Sequence, residues 1–143
     1  MKIQFEDAGM YDVPEYMTEG AAGMDLYASN KEPICLRPGD RQLIHTGLKI
    51  AIPVGMEMQI RPRSGLVLKH GVTVLNSPGT IDSDYRGEIM VILHNSSENH
   101  FFVNFGDRIA QAVFAKYERV ELECVESLDE TVRGEGGFGH TGK

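Results

Sequence analysis

The side chains best suited to chemistry sit in one stretch, Asn76 to Ile92, NSPGTIDSDYRGEIMVI, where Asp82 and Asp84 flank Ser83 in a polar turn and Tyr85 follows directly. A carboxylate held within hydrogen-bond reach of a water can take its proton and present a hydroxide-like oxygen to an electrophile. Asp and Ser also favour turns because their side chains bond nearby backbone, so the turn alone fits a structural role as well. Spacing does not choose between the two aspartates. A second stretch, RPRSGL, places Arg61 and Arg63 just before Ser64, which reads as the N-cap of a short helix over Gly65 to His70 ended by a left-handed Gly71. Free N–H groups at such a helix start, with arginines beside them, suit a phosphate; an ordinary capped helix with surface arginines is the plainer reading. Asn76 carries an amide that can both donate and accept, as a base edge requires. Asp25, set between apolar neighbours, is either a turn cap or a partly enclosed carboxylate that needs a cation or hydrogen bonds. Near the C-terminus, Arg133 and Phe138 stand among glycines, a composition too poor in apolar residues to order itself but suited to stacking on a ring and clamping a phosphate.

The elements that must carry these residues read as short strands. Thr80 and Ile81 lead into the Asp82 turn, Gly87 lets the chain fold back, and Ile89 to Leu93 forms an apolar strand, so the stretch is expected to be a hairpin. Leu48, Ile50 and Ile52 alternate with polar or small residues, as do Met56, Met58 and Ile60; the methionines read as core. Further strands are expected at Ile3 to Phe5, Met24 to Ala28, Val72 to Leu75, Phe101 to Val103 and Ile109 to Phe114. Gln111 is the one polar side chain in the last of these and wants a partner. Val120, Leu122 and Cys124 alternate with acidic residues and are expected to close the core with one more strand.

With 143 residues, sixteen Gly and no Trp, the chain suits one all-β domain. The formal net charge of −7 argues against a nucleic acid or an anionic membrane as partner, and no apolar run approaches the roughly 20 residues of a membrane span. Met1 to Phe5 runs into acidic residues rather than a signal-peptide core, so the expected location is cytoplasmic or otherwise intracellular. Cys35 and Cys124 lack metal-ligand spacing and read as reduced, partly buried thiols, and the histidines form no zinc pattern.

In order and spacing, GAAGMDLYA, RPRSGL, GTIDSDYRG, GDRIAQ and RGEGGFGHTG resemble the five motifs of the trimeric all-β deoxyuridine triphosphatases, over nearly the whole chain. The resemblance implies a jelly-roll-like β-barrel or sandwich with one short helix, a β domain over 1–126, and a flexible Gly-rich arm over 127–143. It implies a homotrimer whose active sites are shared between chains. The implied reaction is magnesium-dependent hydrolysis of dUTP to dUMP and pyrophosphate, which limits uracil incorporation into DNA and supplies dUMP for dTMP synthesis. By position, Asp82 matches the general base that orients the water attacking the α-phosphorus. Tyr85 matches the ring packed on the deoxyribose, and Asn76, Thr80, Ile81 and Met90 match the uracil pocket. Arg63, Ser64 and Gly65 match the phosphate loop, Gln111 the fourth motif, and Arg133 with Phe138 the closing arm. Asp25 matches a carboxylate that reaches Mg2+ through water. His140, where many members carry Ser, departs from the pattern, and the short span between the third and fourth motifs excludes the inserted domain of some phage relatives. A dCTP deaminase of the same fold would lack the Asp82, Tyr85 and Gly-Phe-Gly set, and a nucleotide-dependent regulator without turnover would have lost the base or the arm.

Overall fold

Period-two patterning gives this chain ten strands and one short helix among the described residues, and the partners those strands find decide where the chemistry sits. The computed structural model describes residues 1–138, so the expectation attached to His140 lies outside the described residues. It contains β1 (Gln4–Asp7), β2 (Met24–Tyr27), β3 (Ile34–Leu36), β4 (Arg41–Ala51), β5 (Met56–Arg61), α1 (Ser64–His70), β6 (Val72–Val74), β7 (Gly79–Ile81), β8 (Glu88–Asn95), β9 (Phe101–Val103) and β10 (Arg108–Lys116). One sheet runs β1-β4-β8-β6, a second β2-β10-β5-β7, and β3 pairs with β9 alone. Every pairing is antiparallel.

The apolar halves of the two four-stranded sheets meet in one core. Ile44 and Leu48 of β4 and Ile89, Val91 and Leu93 of β8 pack with Leu26 of β2, Met58 and Ile60 of β5, and Ala110 and Ala112 of β10. The methionine alternation on β5 is therefore core, as expected. On β8 the same alternation turns Glu88, Met90 and Ile92 to the opposite face, where they are half-buried.

The expected hairpin around Asp82 is not one. β7 pairs with β5 in the second sheet, whereas β8 pairs with β4 and β6 in the first. Residues 82–87 are thus a crossing from one sheet to the other. An apolar run identifies a buried strand but not its partner, and the apolar face of β8 is better buried between β4 and β6 than beside the three-residue β7. The strand expected at Val120 to Cys124 does not form either: residues 117–138 hold no strand or helix, and Val120 and Leu122 are 79% and 92% exposed. Cys124 is exposed rather than partly buried, while Cys35 is half-buried. Finally, Arg63 rather than Ser64 holds the N-cap position of α1, with no side-chain cap hydrogen bond, and Gly71 supplies the left-handed stop at φ 63°.

Candidate active site

The crossing between the sheets builds a cavity of about 260 Å³ lined by Asn76, Thr80, Ile81, Asp82, Tyr85 and Met90, together with Leu43, Glu88 and Ile92. Asp82 lines it and Asp84 does not, so geometry separates two aspartates that spacing leaves equivalent. The turn is closed by the Tyr85 N–H donating to the Asp82 carbonyl at 3.2 Å, and Arg86 pins it by donating to the carbonyls of Ser83 (2.7 Å) and Tyr85 (2.9 Å). Tyr85 folds back over Gly87, where a Cβ would lie 2.5 Å from its Cζ, and its hydroxyl donates to the Glu88 carbonyl at 2.9 Å. Gly87 is needed for that ring. Asn76 leans over Gly79, whose added Cβ would stand 3.2 Å from the amide nitrogen.

Glu88 reaches from β8 to the bulge of β4. Its Oε2 lies 2.9 Å from His45 Nδ1, and its Oε1 accepts the Gly47 N–H at 2.9 Å. Burial pushes the Glu88 carboxyl up, but the hydrogen bonds from His45 and Gly47 outweigh it, and the group is held below its ordinary value of 4.5. A lowered folded pKa gives stability that is complete above the unfolded value and is lost as pH falls through the folded one. Wild type is therefore expected to exceed Glu88→Gln in unfolding free energy at pH 7, with the gap closing once pH drops below about 4.5. Urea titrations of both proteins across that range check it, and a gap independent of pH would show that ionised Glu88 is not its source.

A second constellation lies around β2, β10 and the loop into α1. The Asp25 side chain, 13% exposed, accepts from Arg63 Nε at 3.1 Å and Arg108 Nη1 at 3.2 Å. This is the enclosed carboxylate with cations, not the turn cap. Arg63 Nη1 donates to the Arg108 carbonyl at 3.1 Å, and the Gln111 amide donates to the Pro62 carbonyl at 2.9 Å, which straps down the residue before Arg63. Gly23 leaves room for the Gln111 side chain, which any Cβ there would strike. The Ser64 and Gly65 N–H groups open α1, and an added Cβ at Gly65 would meet nothing within 4 Å. Burial, then the Asp25 charge, push the Tyr27 phenol up, so it stays neutral. Arg63 and Arg108 line a different cavity, of about 660 Å³, from the one at Asp82. Arg133 donates from Nε to the Gly136 carbonyl at 2.7 Å, and the Phe138 ring is fully exposed.

The family model described as dUTPase matches residues 10–142. This chain belongs to the dUTPase family. A deoxyuridine 5′-triphosphate nucleotidohydrolase of Rickettsia felis is 60% identical over 130 residues, covering 91% of this chain and 88% of the relative. One from Syntrophotalea carbinolica is 58% identical over the same shares. Among solved structures, the dUTPase of Staphylococcus bacteriophage 80alpha with dUpNHpp superposes with TM-score 0.89 at 24% identity, covering 99% of both chains. A mutant dUTPase of phage phi11 of S. aureus, described for its coordination of a structural Mg(II) ion, gives TM-score 0.82 at 22% identity, covering 91% of this chain and all of that one. At those identities the likeness bears on the fold, and it bears out the all-β expectation.

Against the dUTPase motifs, the structure divides the expected residues in three: Asp82 with Asn76, Thr80, Ile81, Tyr85 and Met90; Asp25 with Arg63, Gln111, Ser64 and Gly65; and Arg133 with Phe138 on the tail. Missing from the sequence reading were Glu88, Leu43 and Ile92 at the cavity and Arg108 at Asp25. Arg108 was within reach, since it sits inside GDRIAQ. As for magnesium, no group of three or more His, Cys, Asp or Glu among the described residues could hold an ion. With both Asp25 oxygens taken by arginines, the residues fit the ion only through its water and through phosphate oxygens brought by a ligand.

Proposed function

We propose that this chain hydrolyses dUTP to dUMP and pyrophosphate, with Asp82 as general base. The observation that carries the reading is the cavity at the sheet crossing, which gathers the Asp82 carboxylate, the Asn76 amide and the Tyr85 ring in a member of the dUTPase family. Asp82 takes a proton from water; the oxygen attacks the α-phosphorus, and the bond from that phosphorus to its bridging oxygen breaks, releasing pyrophosphate. Uracil sits against Asn76, Thr80, Ile81 and Met90, read partly by main chain. Tyr85, tilted over Gly87, packs on the sugar and leaves no space for a 2′-hydroxyl. Arg63 uses Nε and Nη1 within the chain, which leaves Nη2 for a phosphate oxygen beside the N–H groups of Ser64 and Gly65. Gln111 holds that loop in place. Asp25 would meet Mg2+ through water, and the ion would neutralise charge on the phosphates. The names of the relatives favour the nucleotidohydrolase over a deaminase or a silent regulator.

The proposed assembly is a homotrimer with sites shared between chains. In one chain the Asp82 cavity and the Arg63 cluster line separate cavities, and residues 117–138 leave Val120, Leu122 and Leu128 exposed for a neighbour. Residues 1–126 form the β domain and 127–143 the arm, whose Arg133 and Phe138 close over the nucleotide of another chain. Among the described residues no helix is long and apolar enough to cross a membrane; the proposed location, where a nucleoside triphosphate substrate is found, is cytoplasmic or otherwise intracellular. No nucleic acid or membrane partner is proposed. Pyrophosphate release from dUTP, set against dCTP, dTTP and UTP, tests the reading; no preference for dUTP would end it. Within it, Tyr85→Ala is expected to lower the ratio of dUTP to UTP kcat/KM by roughly tenfold or more while discrimination against dCTP holds, because the main chain around Thr80 is unchanged. An unchanged sugar ratio would remove Tyr85 from that role.

A further inference from the structure

We propose that Glu88 is a positioning residue for the sugar-binding ring, holding Tyr85 in register through a clamp between β8 and the bulge of β4. This rests on the reading of the cavity as the dUTP nucleoside site. Glu88 is the end rung of β8, opposite Lys49, and a register shift separates it from the next rung, His45 to Met90. At the end of a ladder, beyond an irregularity, backbone position depends less on neighbouring rungs and more on what the side chain holds. Here the side chain holds a fixed point. Its carboxylate bridges His45 Nδ1 and the Gly47 N–H, both at 2.9 Å. Gly47 in turn has φ 69°, and its carbonyl accepts the Ala8 N–H at 2.7 Å. An added Cβ at Gly47 would strike the Met10 nitrogen and lie 2.5 Å from the Gly9 carbonyl carbon. The bulge is also tied to β8 by Thr46 Oγ1 donating to the Ile89 carbonyl at 2.6 Å.

The opposite end of the same residue holds the ring. The Glu88 carbonyl accepts the Tyr85 hydroxyl at 2.9 Å, and Gly87 forms the floor beneath the ring. One residue therefore transmits the position of the bulge to the aromatic wall of the cavity, while Asp82, at the start of the crossing, is held by its own turn. Losing the clamp should loosen Tyr85 and leave Asp82 in place. The effect falls on KM and sugar choice rather than on the chemical step.

The experiment compares Glu88→Ala and Glu88→Gln in the full-length chain, with steady-state kinetics on dUTP and UTP. Glu88→Ala is expected to lower the dUTP to UTP ratio of kcat/KM about tenfold, mainly through a higher KM for dUTP, with kcat close to wild type. Glu88→Gln keeps an acceptor for Gly47 and an amide for His45, so it should restore most of the ratio. A Glu88→Ala protein with the wild-type ratio overturns the proposal, as does one that loses kcat equally on both substrates. Should Glu88→Ala fail to fold, Tyr85→Phe cuts the other end of the link at an exposed side chain and is expected to lower the ratio in the same sense; an unchanged ratio overturns the proposal by itself. A fall for Tyr85→Ala without one for Glu88→Ala rejects only the clamp. No fall for Tyr85→Ala rejects the sugar platform and the clamp together, and a wild-type chain that releases no pyrophosphate from dUTP rejects the proposed function.

Discussion

Asp82→Asn is expected to bind dUTP almost as wild type does and to hydrolyse it roughly 10² to 10⁴ times more slowly. The amide has the shape of the carboxylate and fills the same place on the wall of the cavity, so ground-state binding survives. It cannot accept the water's proton, so the loss falls on kcat. Asp84→Asn is the matched control, since Asp84 belongs to the same turn but does not line the cavity. Calorimetry and pyrophosphate assay on the same preparations decide the matter. Near-normal turnover in Asp82→Asn, or an equal loss in Asp84→Asn, would take the base assignment away from Asp82.

The second large effect is a recovery of activity from two dead chains. One carries Asp82→Asn with an intact arm, and the other keeps Asp82 but ends before Arg133. In a cyclic trimer whose cavity and arm come from neighbouring chains, every mixed trimer holds one place where the two intact parts meet. Co-refolding at equal amounts makes about three quarters of trimers mixed, each with one working site in three, so activity should return to roughly a quarter of wild type. Native mass spectrometry establishes the mixed trimers and pyrophosphate release reads the result. Mixed trimers without activity would mean that each arm folds over its own chain, and the role of Asp82 would be unaffected.

Much of the candidate site was legible because it is written in short local motifs. Asp82, Tyr85, Thr80 and Ile81 are neighbours in sequence and remain neighbours around the cavity. Arg63 and Gln111 could be assigned to one locality only through their motifs, and the structure brings them together through Pro62. Glu88 was not legible, because its carboxylate acts on Gly47, whose conformation depends on contacts with Gly9 and Met10 far away in sequence. The hairpin expectation fails for a related reason: the apolar run Ile89 to Leu93 marks a buried strand that any partner could satisfy, and the choice of β4 and β6 over β7 belongs to the whole core. The alternation of Val120 and Leu122 is real as a pattern, yet the described residues of one chain form no strand there and leave both side chains exposed.

The crossing of residues 82–87 between the sheets also sets when catalysis can appear during folding. A hairpin tip forms from local contacts within microseconds and could present its turn early. Here β7 must dock on β5 and β8 on β4, and the β8 pairing joins His45 to Met90 across a long loop that has to close first. The turn that carries Asp82 is closed by local bonds, but the cavity it lines also needs Leu43 of β4 and Met90 of β8, so it is complete only when both sheets have closed on the shared core. Activity regained after dilution from denaturant therefore cannot precede that closure, and it should lag behind the recovery of β-sheet signal rather than accompany it.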